Sequence, residues 1–165
     1  MPITNAQEKF VYALSVLYDA ENQLLEALQQ MLEQASDGEL RHSFEVHIGE
    51  THQQIQNLEQ VFNQIGQEKP QRQTCEAAQG LVSDAQKSLQ EAQSEPLRDT
   101  LIADAQAKVE NFEIACYQAL IIGAQQMDQE EAVELLQRNL QWEQKTALDI
   151  KQKAPQLVRK AMQGS

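Results

Sequence analysis

Four glutamates stand where helical periodicity predicts hydrophobic side chains. They are Glu21, Glu50, Glu113 and Glu143. Each interrupts a stretch in which apolar residues recur every three or four positions, which is the spacing of a helix that buries one face. An ionised carboxylate on such a face is costly unless it is paired or coordinates a metal. The chemistry open to these residues therefore depends on whether they meet in the folded chain.

A histidine and a further glutamate lie one helical turn from two of these acids. His47 precedes Glu50 by three residues, and Glu110 precedes Glu113 by three. The residues that could form one metal site are Glu21, His47, Glu50, Glu110, Glu113 and Glu143. Oxygen ligands with few imidazoles suit iron or manganese, whereas structural zinc favours thiolates. We expect one or two ions per chain, and the alternative is a metal-free layer in which the carboxylates share protons.

Five helices must position these side chains. The chain has only six glycines and four prolines, and long amphipathic stretches alternate with short polar ones. The predicted helices span about 4–35, 37–65, 75–92, 96–127 and 129–153; the last either ends there or continues past Pro155 with a kink. The residues expected to cap helices are Thr4 or Asn5, Ser36 with Glu39, Thr74, and Asp128 with Glu131.

The lengths of the connections predict the topology. Two short turns make antiparallel hairpins of the first two and last two long helices, and a connection of about thirty residues joins the hairpins. That connection carries the short helix at 75–92. We therefore predict a single all-α domain over residues 1–165, a ferritin-like four-helix bundle with one long crossover.

Counting along the hairpins indicates that the four acids share one layer. In the first hairpin, Glu21 lies sixteen residues before a turn centred near residue 37, and Glu50 lies thirteen residues after it. In the second hairpin, Glu113 and Glu143 each lie fifteen residues from a turn centred near residue 128. At a rise of about 1.5 Å per residue, all four fall roughly 20 Å from the turns. No lysine or arginine is expected to neutralise them, apart from Lys108 near the edge of its stripe.

Charge and composition exclude several classes of function. The net charge of −12 argues against nucleic-acid binding and against anionic membrane surfaces. Cys75 and Cys116 form no metal or redox motif. The N-terminal residues do not have the pattern of a signal peptide, and no stretch is long enough to span a membrane. We expect a cytoplasmic protein.

Several segments resemble the YciE/YciF family of ferritin-like proteins. They are YDAE at 18–21, FEVHIGET at 44–51, CEA at 75–77, GL at 80–81, KVENFEIACY at 108–117 and EQKT at 143–146. The resemblance covers essentially the whole chain. It implies a ferritin-like bundle, a homodimer and a link to bacterial stress responses, without implying a settled activity.

The motifs depart from those of the better-known ferritin-like carboxylate enzymes. Those enzymes use Glu-x-x-His on two helices. Here the third residue after Glu50 is Gln53, and the third residue after Glu143 is Thr146. His47 instead precedes its glutamate. The site could hold two ions with unusual ligation, one ion or none. The other residues that could approach it are His52 and Gln54 as contacts, and Tyr18 and Tyr117 as hydrogen-bond donors or packing residues.

Two functional hypotheses follow. The first is a stress-response protein with a carboxylate-rich metal centre; if it is an enzyme, it is a metal-dependent oxidoreductase that oxidises Fe(II) or reacts with oxygen or peroxide. The second is a non-enzymatic helical dimer that acts as an interaction or structural protein without metal. Iron sequestration is a weaker third reading, since a cage needs particular outer faces.

Overall fold

Helices make up nearly all of the chain. The computed structural model describes residues 3–163, so the four terminal positions of the predicted domain lie outside the described residues. The five helices are α1 (Ala6–Gln34), α2 (Gly38–Gln64), α3 (Glu76–Glu91), α4 (Glu95–Gln126) and α5 (Glu130–Gln163). The predicted bounds of α1 to α4 agree to within two residues, and of the two ends predicted for α5 the later one is correct, since α5 continues through Pro155 to Gln163. The all-α prediction is confirmed.

Two of the predicted caps belong to a neighbouring residue. Asn5 caps α1 as expected, but Asp37 caps α2 by accepting hydrogen bonds from the backbone of Glu39 and Leu40. The prediction of Ser36 was wrong because Ser36 is drawn into a tertiary contact described below. Cys75, one residue after Thr74, caps α3 through its sulfur.

Asp128 ends α4 and does not begin α5 as the predicted capping box requires. Its φ of 54° is left-handed. The Gln129 N–H donates to the Ala124 carbonyl at 3.0 Å, and the Asp128 N–H donates to the Gln125 carbonyl at 3.2 Å. This is the Schellman pattern, in which a left-handed residue satisfies the last carbonyls of a helix. The predicted pairing of Asp128 with Glu131 was therefore wrong.

The four long helices form a closed ring in the order α1, α2, α5, α4. Asp99 at the start of α4 lies against the end of α1, and Lys160 near the end of α5 contacts Asp37 at the start of α2. Neighbouring helices of the ring are thus antiparallel, and α2 and α4 face each other diagonally. The crossover helix α3 packs outside the ring against α1 and α4.

Two buried aspartates fasten the connections to the bundle. The Asp99 carboxylate accepts hydrogen bonds from the Ser36 N–H at 2.8 Å, the Ser36 hydroxyl at 2.6 Å and the Asp37 N–H at 2.9 Å. The Asp19 carboxylate accepts from the Cys75 N–H at 2.8 Å and from Arg72 Nε at 2.9 Å. The first holds the α1–α2 turn on α4, and the second holds the crossover on α1.

A polar layer divides the apolar core into two clusters. On α2, the stretch 47–57 separates Phe44 in one cluster from Leu58 in the other. On α5, the stretch 139–146 separates Leu136 from Ile150 in the same way. Polar side chains in this layer are buried between two hydrophobic halves. Within residues 3–163, no helix is long and apolar enough to cross a membrane.

Candidate metal centre

Five ionisable side chains meet in the polar layer at the centre of the bundle. Glu21 comes from α1, His47 from α2, Glu110 and Glu113 from α4, and Glu143 from α5. None of the five residues is more than 3% exposed. They are carried there because each lies on the inward stripe of its helix, and the ring of four helices brings those stripes together.

The geometry of four of these side chains suits a metal ion. One ligand atom from each of His47, Glu110, Glu113 and Glu143 lies within 4.8 Å of the others. Within this group, His47 Nε2 and Glu110 Oε1 lie 3.0 Å apart. Glu21 lies beside this group, close enough to Glu113 for each carboxyl to shift the pKa of the other. Three carboxylates and an imidazole match the ligand preferences of iron and manganese.

Neutral side chains hold one oxygen of several of the carboxylates. Gln106 donates a hydrogen bond to Glu110, Gln54 donates to Glu143, and the Tyr117 hydroxyl donates to Glu21. The other oxygen of each of these three carboxylates, Oε2, is buried without a hydrogen-bond partner, as is Gln54 Oε1. An unpartnered buried oxygen costs free energy. Either a cation or protons shared between the carboxyls would remove that cost, so the residues present fit a bound metal.

Burial and crowding shift the pKa values of the cluster. Burial raises the pKa of Glu113 and of Glu143 well above the usual range, and the charges of neighbouring carboxylates raise them further. Burial raises the pKa of Glu21 to about 7, although the hydrogen bond from Tyr117 opposes the shift. Burial lowers the pKa of His47, but the charge of Glu110 and its hydrogen bond outweigh this and raise it to about 9. The metal-free cluster therefore holds protons at neutral pH that a metal would displace.

Comparison with known proteins identifies the family. A family model described as a domain of unknown function (DUF892) matches residues 5–163. The chain belongs to the DUF892 family. It is 34% identical to Protein YciF of Escherichia coli (strain K12) over 151 residues, which are 92% of this chain and 90% of that protein. The resemblance to the YciE/YciF family inferred from the motifs is confirmed.

Solved structures of similar proteins have the same fold. The crystal structure of the E. coli stress protein YciF matches with a TM-score of 0.91 and 32% identity, covering 96% of this chain and 99% of that one. YcfI from Rhodopseudomonas palustris, provisionally described as a structural protein, matches with a TM-score of 0.88 and 32% identity. That match covers 90% of this chain and 94% of YcfI.

Glu50, which was also predicted as a site residue, lies at the rim of the buried cluster of ionisable side chains. Its Oε1 accepts a hydrogen bond from Lys145 at 3.0 Å, and its Oε2 lies 3.8 Å from His47 Nδ1. The nearby His47 imidazole and the hydrogen-bonded Lys145 ammonium lower the pKa of Glu50, although burial opposes this. The expectation that no basic residue other than Lys108 would approach the acids was wrong, because Lys145 reaches Glu50 across the α2–α5 interface. Lys108 itself is exposed.

The flanking residues proposed from the sequence divide into two groups. Gln54 is fully buried and contacts Glu143, whereas His52 is exposed. Tyr117 donates to the cluster, whereas the Tyr18 hydroxyl donates to Glu59 at 2.9 Å.

Sequence reasoning missed two buried asparagines behind the cluster. Asn57 Nδ2 donates to Asn139 Oδ1 at 2.7 Å, and Asn139 Nδ2 donates to the Tyr117 hydroxyl at 3.1 Å. Asn139 is fully buried. A signal existed, because Asn139 lies three residues after Leu136 and four before Glu143 on the same helical stripe. The polar layer is therefore wider than the acids alone suggested.

Proposed function

We propose that the buried cluster is a carboxylate-rich centre for iron or manganese in a ferritin-like bundle. The observation that carries the proposal is the approach of four buried ligand atoms to within 4.8 Å, with unpartnered oxygens on two of the three carboxylates involved. Buried ionisable groups of this kind are candidates for a functional site. One or two ions per chain would suit the set.

The side chains have distinct roles in this proposal. His47, Glu110, Glu113 and Glu143 would hold the metal, with Glu21 available beside Glu113. Iron or manganese, when bound, supplies redox chemistry of the kind used in Fe(II) oxidation or in reactions with oxygen or peroxide. Gln54, Gln106 and Tyr117 orient the carboxylates, because each donates to one carboxylate oxygen and leaves the other without a hydrogen-bond partner. The two apolar clusters exclude water from the layer.

The physiological setting is also a proposal. A relative that aligns over nearly its whole length is described as a stress protein. We infer that this chain serves a bacterial stress response, in the cytoplasm and as a homodimer. Neither nucleic acid nor membrane is expected as a partner, because the net charge is −12.

A metal-free structural role is the second candidate. The raised pKa values of Glu113 and Glu143 allow the carboxyls to carry protons and to satisfy each other without a cation. The provisional description of YcfI as a structural protein favours the same role. On this reading the chain is a non-enzymatic helical dimer.

Metal content separates the two candidates. The protein is expressed in medium containing both iron and manganese, and bound metal is measured by mass spectrometry. The matched variants are a double substitution, Glu113→Gln with Glu143→Gln, and a control, Glu134→Gln, at an exposed position on α5. The metal proposal expects about one or two ions per chain in the wild type and control, and only traces in the double variant. Equal trace amounts in all three proteins would support the structural role.

A second measurement asks whether a metal centre is redox-active. Fe(II) is added anaerobically to the metal-free protein, and oxygen uptake is followed after mixing with aerated buffer. An oxidoreductase should consume oxygen faster than buffer with Fe(II) alone, and the double variant should not. A passive binding protein would consume oxygen no faster than that buffer.

A further inference from the structure

An open groove lies between α2 and α5, directly outside the metal centre. Its volume is about 340 Å³, and its lining includes Val46, Glu50, Lys145 and Thr146. Glu50 and Lys145 face each other across it and form an ion pair of 3.0 Å. Two of the lining residues, Glu50 and Thr146, also lie against His47 of the buried cluster. The groove therefore borders the cluster directly.

His47 separates this groove from the inner carboxylates. Its Nδ1 faces outward, 3.8 Å from Glu50 Oε2 and 3.3 Å from Thr146 Oγ1. Its Nε2 faces inward, 3.0 Å from Glu110 Oε1. A continuous series of oxygen and nitrogen atoms thus leads from the groove to the centre of the bundle.

We propose that the α2–α5 groove is the access route for divalent cations and that the Glu50–Lys145 ion pair gates it. The proposal rests on the proposed metal-binding function. Glu50 is the outermost carboxylate of the series: its side chain is 15% exposed, whereas those of His47 and Glu110 are 4% and 0% exposed. Of the side chains in this series, an incoming cation meets Glu50 first and displaces the Lys145 ammonium from its carboxylate. The cation then passes His47 to reach Glu110.

The charges around the groove explain why Lys145 restrains uptake. A divalent ion and an ammonium compete for the same oxygen of Glu50, and the ammonium is tethered there by its own helix. The Lys145 side chain is 66% exposed, so it can move into solvent when the ion pair opens. A second pair, Lys153 with Asp149, lines the same groove without touching Glu50. Lys145 and Lys153 therefore carry the same charge in the same groove, but of the two it is Lys145 that pairs with Glu50.

The test follows Mn²⁺ uptake by the metal-free protein in a stopped-flow or rapid-quench experiment, with the loss of the free Mn²⁺ paramagnetic resonance signal as the readout. Lys145→Ala should raise the uptake rate about two- to fivefold, the factor that corresponds to breaking a surface ion pair. Lys153→Ala should raise it less, because it removes the same charge but leaves the gate intact. The final Mn²⁺ content should equal that of the wild type in both variants.

A steric variant probes the route independently of charge. Val46 is 43% exposed and lines the groove, so Val46→Trp should obstruct it and slow uptake. Ile122→Trp places the same side chain at a 62% exposed position on α4, away from the groove, and should leave the rate unchanged. Circular dichroism confirms that each variant is folded.

The outcomes separate the two proposals. If the wild type takes up no Mn²⁺ and no Fe²⁺, the metal-binding function is overturned together with the access route. If the wild type takes up metal but Lys145→Ala and Val46→Trp match its rate, the access route alone is overturned. Equal acceleration by Lys145→Ala and Lys153→Ala would also overturn the gate, because it would show a general effect of charge.

Discussion

His47 Nε2 and Glu110 Oε1 lie 3.0 Å apart at the centre of the bundle, although their helices are not packed neighbours. The ring order places α2 and α4 diagonally, so this contact spans the interior from one side to the other. Both side chains are almost fully buried. The pair therefore joins the two hairpins through the polar layer, and its energetics depend on the protons or cations that the layer holds.

The metal-free protein should lose stability as the pH rises from 5 to 9. The pKa values of Glu21, Glu113, Glu143 and His47 are all raised in the folded state, so the folded protein binds more protons than the unfolded chain in this range. Their contribution is fully present at low pH and is lost as pH passes the folded pKa values. Glu21 alone, with a pKa of about 7 against 4.5, accounts for about 3 kcal/mol.

Urea unfolding at pH 5, 7 and 9 measures this dependence, with the metal-loaded protein as the comparison. Metal ligation replaces the shared protons, so the loaded protein should lose much less stability over the same range. Below pH 5 the slope should reverse, because the lowered pKa values of Glu50, Asp19, Asp37 and Asp149 then contribute. A metal-free protein whose free energy of unfolding is constant from pH 5 to 9 would contradict the burial of ionisable carboxyls described above.

Tyr117→Phe should destabilise the protein by about 1–3 kcal/mol, because it leaves buried polar groups unpaired. The Tyr117 hydroxyl donates to Glu21 and accepts from Asn139 Nδ2, and phenylalanine can do neither. The hydrogen bond also lowers the pKa of Glu21, so its loss should move the pH-dependent fall in stability to higher pH. Tyr12→Phe, at a tyrosine that is 38% exposed, is the matched control. Equal small effects of both substitutions would refute the role of the hydroxyl.

Asp99→Ala should loosen the α1–α2 turn and cost about 3 kcal/mol, because three hydrogen bonds to a buried carboxylate are lost. The donors are the backbone and hydroxyl of Ser36 and the backbone of Asp37. Hydrogen exchange at those two amides should accelerate more than exchange in the middle of α1. Asp104→Ala, at an exposed position on the same helix, should have little effect on either measurement.

Asp128→Gly and Gly66→Ala should change stability in opposite directions. Both residues end a helix in the left-handed region, with φ values of 54° and 80°. A side chain is strained there and glycine is not, so Asp128→Gly should stabilise by about 0.5 kcal/mol and Gly66→Ala should destabilise by about 1 kcal/mol. Thermal unfolding of the two variants checks the signs, and a loss of stability in Asp128→Gly would show that the aspartate side chain has a favourable role.

Local patterns in the sequence were sufficient to predict the helices and much of the polar layer. Helical periodicity depends on the residues of one segment, so the bounds of α1 to α4 agreed to within two residues. Counting residues from the turns predicted that Glu21, Glu113 and Glu143 lie at the same height along the bundle, because the rise of a helix is constant. Gly66 follows the end of α2 with a φ of 80°, which glycine adopts without strain.

Contacts between distant segments decided the rest. Ser36 lost its predicted capping role because Asp99, 63 residues away, binds its hydroxyl. Lys145 neutralises Glu50 from a different helix, which no pattern within α2 could reveal. Whether Glu50 or His47 points inward depends on the rotation of α2 against α5, because residues three apart differ by about 60° around the helix. The sequence by itself determined which helices form and the height of the acids along them; the tertiary structure determined which side chains face each other, because helix rotation and packing are set by all four helices together.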